Sequence, residues 1–261
     1  MRYESLLLEY RGDVVLLTLN EPDVLNAIGA RMLEELKAAV DMIGDPAGPG
    51  RCLLITGAGR GFCSGANLGG GAEGEGAPRH RTLDETYNPL FLKLRRLRMP
   101  IVTAVNGPAA GIGMSLALMG DIVLAARSAY FYQAFRNVGL VPDGGATWLL
   151  PRLIGRARAA ELSLLAQRLP AETALSWGLI NRVVEDGALL NQALEVAENL
   201  AAGPTVALSM MREAYWQSLD NTYEAQLGLE SVLQLRAGAT EDAAEGREAF
   251  REKRTPRFQG R

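Results

Sequence analysis

Apolar residues in this chain recur in two rhythms, and the two alternate along its length. Largely apolar runs of strand length stand at Ser5–Leu8, Val14–Leu19, Cys52–Thr56, Ile101–Val105, Asp121–Ala126 and Ile180–Val184. Turn chemistry breaks several of them: Arg11-Gly12-Asp13 between the first two, Asn20-Glu21-Pro22-Asp23 after the second, and Asn106-Gly107-Pro108 after Val105. The first two runs therefore predict a β-hairpin. Between the strands, Ala30–Ile43 places Leu33, Leu36, Val40 and Ile43 at helical spacing and ends at Gly44-Asp45-Pro46. Asp84–Arg98, Met114–Met119, Gly145–Leu153, Ala157–Ala166 and Ala171–Trp177 also read as helices. Beyond the last strand, Asp186–Ala202, Thr205–Leu219, Tyr223–Arg236 and Glu241–Arg254 are helical throughout. The pattern predicts an α/β protein with a layered core over residues 1–198 and a C-terminal helical region over 199–261. Apolar faces on those late helices suit packing on a neighbouring copy or against the chain's own core.

Composition narrows the function classes. The chain has 261 residues, 48% hydrophobic and 22% charged, enough to bury a full core. A net charge of −3 argues against a nucleic-acid binder that works by neutralising phosphates. No apolar run reaches membrane-spanning length, and the first residues lack a secretory pattern, so a cytoplasmic protein is expected. Cys52 and Cys63 are too few for a disulfide framework. Gly69–Arg81, which contains the single histidine, His80, is rich in Gly, Glu and Arg and predicts a mobile flap.

Several chemistries lack their residues. The loop at Gly57 carries Phe62 where a dinucleotide fingerprint needs its third glycine, and neither glycine-rich loop has the Lys-Ser/Thr pair of a P-loop. One histidine and two separated cysteines cannot build the usual zinc sites, so no metal is expected. Ser115 in Gly113-Met114-Ser115-Leu116-Ala117 is a near miss to a nucleophile elbow, but no histidine follows it. Two loops and one acid remain. Gly57–Leu68 and Asn106–Gly113 each follow a buried strand, and the N–H groups of Ala66 and Ile112 could converge as an oxyanion hole; the same loops would serve equally as tight turns. Asp143 precedes Gly144-Gly145 and a helix, which suits either an N-cap or a general base in an apolar pocket.

Taken together, Leu19-Asn20-Glu21-Pro22 with Asn26-Ala27, the Phe62–Leu68 segment of the first loop, and Asn106–Gly113 resemble the enoyl-CoA hydratase/isomerase, or crotonase, superfamily, and the resemblance continues to Phe250, Lys253-Arg254 and Phe258. It implies a spiral of ββα turns, a C-terminal helical region that builds trimers, often paired into hexamers, and acyl-CoA thioester substrates. Coenzyme A then enters as part of the substrate, and no separate cofactor is implied. Carried over by position, Ala66 and Ile112 are the oxyanion donors. Leu25, Ala27, Ser64, Ala66 and Leu68 line the adenine and pantetheine path, and Phe250 and Lys253 approach it, from the same or a neighbouring protomer.

The hydratases of this family use two glutamates, and here Ser115 and Phe135 stand in their places. The acid is Asp143 instead. Gly139–Asp143 with Thr147–Arg152, Arg51–Cys63 and Tyr87–Leu90 resemble the branch containing ring-1,2-epoxyphenylacetyl-CoA isomerases of phenylacetate breakdown and related enoyl-CoA isomerases. The resemblance implies an isomerase in which one aspartate moves a proton along a thioester enolate. Hydration or thioester hydrolysis on the same scaffold, and a non-catalytic acyl-CoA-binding protein, are the alternatives.

Overall fold

A computed structural model describes residues 3–67 and 82–261. Leu68, His80 and the expected flap at Gly69–Arg81 lie outside the described residues. The chain opens with strands β1 (Leu6–Arg11) and β2 (Val14–Leu19), an antiparallel hairpin that turns through Gly12 at φ +58°. Helix α1 (Ala30–Ile43) returns the chain to β3 (Cys52–Gly57), which runs parallel to β2. Next come α2 (Tyr87–Arg96), β4 (Ile101–Val105), β5 (Ala109–Ala110), α3 (Ile112–Ala117), β6 (Ile122–Ala126) and β7 (Tyr130–Tyr132). They are followed by α4 (Ala146–Leu165), β8 (Arg168–Pro170), α5 (Ala171–Ser176) and β9 (Arg182–Val184). Helices α6 (Leu189–Ala201), α7 (Thr205–Ser218), α8 (Tyr223–Gly238) and α9 (Glu241–Glu252) complete the chain as a C-terminal helical region.

The main sheet has the order β1-β2-β3-β4-β6-β9, parallel except for the first pair. Every residue of β3 and β4 is buried, which explains why both read as unbroken apolar runs rather than alternating ones: parallel strands are covered on both faces. Helix α6 lies across β2, β3, β4 and β6. Two arginines fasten the helical region to the sheet. Arg51, just before β3, donates to the carbonyls of Gly203 (2.5 Å) and Phe258 (3.1 Å) and to Thr205 Oγ1 (2.9 Å). Buried Arg212 on α7 pairs with Asp121 at 2.5 Å and donates to the carbonyls of Leu94 and Leu97. Burial still pushes the Asp121 carboxyl above its ordinary value, although Arg212 opposes the shift.

Two expectations need correcting, and one element was not foreseen. Helix α2 starts at Tyr87 rather than Asp84, because Thr82–Thr86 forms a turn in which the Asn88 N–H reaches the Leu83 carbonyl. The helices expected at Gly145–Leu153 and Ala157–Ala166 run end to end, broken at Gly155 (φ +77°, ψ 157°). A second sheet, β5-β7-β8, is built from strands of two and three residues, too short to show a period. Among the described residues, no helix is long and apolar enough to cross a membrane.

Candidate active site

The loop after β3 and the loop after β4 are laced together by main-chain hydrogen bonds. The N–H groups of Phe62 and Cys63 donate to the Pro108 carbonyl (3.1 and 3.0 Å), and the Ala110 N–H donates to the Cys63 carbonyl (2.9 Å). Two buried or half-buried asparagines fix the curl of the first loop. Asn26, in the left-handed region at φ +56°, accepts from the Glu21 N–H and donates to the carbonyls of Ala58 and Gly61. Asn106 accepts from the Gly57 N–H and donates to Gly59 and Gly61. The curl has no room for side chains: a Cβ on Gly113 would stand 2.7 Å from Cys63 Sγ.

At the junction of the loops, Gly65 (φ +109°) and Gly111 (φ +52°) touch main chain to main chain, a Cβ on Gly111 falling 3.9 Å from Gly65 Cα. The residue after each glycine is one of the two expected donors. Ile28 pairs with Ala66 in a one-residue parallel bridge that uses the Gly65 carbonyl (2.8 Å) and the Asn67 N–H (3.0 Å), so the Ala66 N–H points away from Ile28. Ile112 is the first residue of α3, where an N–H has no acceptor within the helix. Among the described residues, neither the Ala66 nor the Ile112 N–H has a hydrogen-bond acceptor. The structure thus places two free amides next to each other on a rigid support.

Asp143 does not act as an N-cap. The cap of α4 is Gly145, with no side-chain hydrogen bond, and Gly144 and Gly145 both have positive φ (+58° and +82°), which swings the carboxylate off the helix axis. Ser115, fully buried on α3, donates its hydroxyl to the Asp143 carbonyl at 2.9 Å, and a Cβ on Gly144 would meet Ser115 Cβ and Phe91 Cζ at 2.8 Å. The loop that carries Asp143 is therefore clamped onto the helix that carries Ile112. Asp143 Oδ1 is sealed from solvent and has no hydrogen-bond partner among the described residues. Burial pushes its carboxyl up to about 6, against a smaller lowering by its own main-chain N–H. Phe135 packs on Gly111, its Cζ 3.8 Å from where a Cβ there would lie, and adds an apolar wall.

The remaining expected residues divide into two groups. Leu25, at φ +52°, packs over Gly61 and accepts the Ser64 N–H at 2.9 Å, Ser64 Oγ donates to the Val24 carbonyl at 3.0 Å, and Ala27 is buried between Leu25 and the Ile28–Ala66 bridge in sequence. These three adjoin the donor at Ala66. Phe250 and Lys253 do not join them by any hydrogen bond: Phe250 is 86% exposed on α9, and Lys253 closes that helix at φ +57°. Cys63 is fully buried, and burial pushes its thiol up to about 12, which leaves it a small packed side chain rather than a nucleophile.

A family model described as enoyl-CoA hydratase/isomerase matches residues 9–261. The chain belongs to this family. Its fold is the crotonase fold, and the family acts on acyl-CoA thioesters. It is 44% identical over 261 residues to the 1,2-epoxyphenylacetyl-CoA isomerase of Escherichia coli, with 99% of each chain covered. It is 42% identical to a probable enoyl-CoA hydratase of Rhodobacter capsulatus over the whole of both chains. The solved enoyl-CoA hydratase of Bacillus anthracis superposes with a TM-score of 0.89 at 31% identity, covering 99% of this chain and 100% of that one. Names of both reactions thus occur among relatives of the hydratase/isomerase family member described here.

Sequence reasoning used Asn26 and Tyr87 only as parts of family motifs and Ser115 and Phe135 only as replacements for glutamates; it did not foresee the Asn26 and Ser115 hydrogen bonds, the packing of Phe135 on Gly111 or the place of Tyr87, and it passed over Phe91. One signal links Tyr87 to Phe91: they lie four apart on α2, hence on one face.

Proposed function

We propose that the protein is an acyl-CoA isomerase that shifts a double bond, or opens a ring epoxide to an oxepin, through a thioester enolate with one aspartate as acid and base. The thioester oxygen sits between the N–H groups of Ala66 and Ile112, which stabilise the negative charge that develops as a neighbouring carbon loses its proton. Asp143 takes that proton and returns the same proton to the carbon two bonds further on, so the double bond moves with no net change in atoms or charge. One carboxylate suffices when both carbons present the same face. The observation that carries this reading is Asp143 itself, with Oδ1 buried and without a partner among the described residues and its carboxyl raised to about 6, held by Ser115, while Ser115 and Phe135 stand where the family resemblance puts the two glutamates of hydratases. The name of the E. coli relative supports the isomerase side.

Hydration is the second reading, favoured by the name of the R. capsulatus relative. Incubating the protein with a 3-enoyl-CoA, a 2-enoyl-CoA and a ring-epoxide thioester separates the two. Isomer formation that depends on Asp143 supports the proposal; a 3-hydroxyacyl-CoA as the main product of the 2-enoyl thioester overturns it. We place the coenzyme A portion along Leu25, Ala27, Ser64 and Ala66, with Leu68 two positions beyond Ala66 in the sequence. The exposure of Phe250 supports its delivery, with Lys253, to the cleft of a neighbouring protomer in a homotrimer.

A further inference from the structure

Helix α2 crosses the site from one donor loop to the base. At one end, the Tyr87 hydroxyl stands 3.5 Å from the Ile28 carbonyl, which is the residue bridged to Ala66. One turn further on, Phe91 Cζ lies 2.8 Å from the position of a Cβ on Gly144, the residue after Asp143. The face of α2 that bears Tyr87 and Phe91 therefore spans the gap between an oxyanion amide and the carboxylate. Tyr87 packs its ring against the core but is not itself fully buried. Its sole acceptor among the described residues is the Ile28 carbonyl, at the far limit of a hydrogen bond, and that oxygen already accepts the Asn67 N–H at 3.0 Å. A phenol donor thus stands at the edge of the reaction space with its proton weakly held. Burial first, then its neighbours Asp143 and Cys63, push this hydroxyl up to about 12, so it stays a neutral donor wherever the protein works.

An apolar pocket that holds only a thioester and a hydrocarbon chain has no use for that donor. Cys63 and the Asp143 carboxylate, which can only accept while ionised, act on it, and Phe91 stands one turn along the same helix face. A weakly engaged donor among such neighbours gains most from an oxygen on the substrate. We propose that Tyr87 sets substrate specificity by donating a hydrogen bond to an oxygen atom carried on the acyl group itself, in addition to the thioester oxygen held by Ala66 and Ile112. The preferred substrates are then acyl-CoA thioesters with an epoxide, ether or hydroxyl oxygen near the reacting carbons. This deepens the isomerase reading and rests on its placement of the acyl group.

The test uses ligands that cannot isomerise, so that it does not depend on turnover. Calorimetric titration of the full-length protein with phenylacetyl-CoA and with 2-hydroxyphenylacetyl-CoA gives a ratio of dissociation constants. The wild type is expected to favour the oxygen-bearing ligand by about 5- to 10-fold, the worth of one net hydrogen bond. In Tyr87→Phe the ratio falls to about one. Tyr87→Met, with similar reach and no donor, gives the same ratio and serves where the phenylalanine variant does not fold by circular dichroism. A wild-type ratio near one overturns the proposal, and so does a preference that persists in both variants, which would assign the oxygen to Asp143. Turnover of a 3-enoyl-CoA, measured separately on the wild type, reports on the isomerase reading alone, so the two can fail independently.

Discussion

Replacing Asp143 with asparagine should make the protein more stable while removing its activity, and the two effects should follow the same ionisation. In the native structure the carboxyl is raised from an ordinary 3.8 to about 6, because burial disfavours its charged form. The same group in the unfolded chain ionises near its ordinary value, so at neutral pH the folded state holds a carboxylate that would be better solvated unfolded. The difference is worth about 3 kcal/mol at 1.36 kcal/mol per pH unit, and partial exposure of the residue cuts this to about 1–2 kcal/mol. The sign follows from the direction of the shift: stability is highest below the unfolded value, near pH 4, and is lost as pH rises through about 6. Asparagine keeps the shape and leaves a similarly partnerless atom in place of Oδ1, so the exchange isolates the charge. Thermal unfolding of both proteins at matched concentration from pH 4 to 8 should show Asp143→Asn melting higher by roughly 2–8 °C at pH 8 and level with wild type near pH 4. In parallel, kcat for isomerisation should rise with pH through about 6 in the wild type and fall about 10²- to 10⁴-fold in the variant. If the variant were no more stable at pH 8, or if its advantage did not shrink on acidification, the carboxylate would not be held against its solvation and its role as a tuned base would lose its physical ground.

Other sites offer independent checks. Ser115→Ala removes the hydroxyl that holds the Asp143 carbonyl at 2.9 Å, and should lower kcat several-fold with a smaller change in KM, at a cost of about 1 kcal/mol in urea unfolding. Gly113→Ala drives a methyl into Cys63, 2.7 Å from its Sγ, and should destabilise by about 1–3 kcal/mol or more in a thermal melt, since the main chain behind it is fixed by the Pro108 hydrogen bonds. Arg212→Met leaves Asp121 buried without its cation and should cost about 3–5 kcal/mol; the double variant Arg212→Met with Asp121→Leu should recover part of that loss in the same urea titration.

How much of this was legible in the sequence depends on how local each cause is. The spans of β2, β4 and α1 agree with their apolar patterns residue for residue, because a strand covered on both faces or a helix covered on one writes its burial directly into its own residues. The donor loops were visible through their glycines, which are required by close approach at Gly65, Gly111 and Gly113, but a glycine announces only that room is needed and not what fills it. The β5-β7-β8 sheet left no trace, since two or three residues cannot display a period. Tyr87 and Phe91 read as an ordinary helical face; their meaning comes from what α2 lies across, and that is set by residues far away in sequence.

Asp143 shows the same limit at the level of chemistry. From its own neighbours it could equally have been an N-cap, and nothing local decides the matter. The decision is made by Gly144 and Gly145 at positive φ, by Ser115 twenty-eight positions earlier, and by Phe91 from another helix, which together turn the loop away from α4 and hold it against α3. Ser115 and Phe135 then bear on function in one direction. A serine spent on the Asp143 carbonyl and a phenylalanine packed on Gly111 offer no carboxylate to hold a water for attack on a double bond, and burial raises the Asp143 carboxyl. Moving a proton between carbons benefits from both changes, because such a base works best with a pKa near the working pH and with no water to exchange the proton it carries. On the isomerase proposal, Ser115, Phe135 and the raised Asp143 carboxyl act as one arrangement of the site, and a Ser115→Glu exchange alone should unfasten the Asp143 loop before it supplied a second carboxylate.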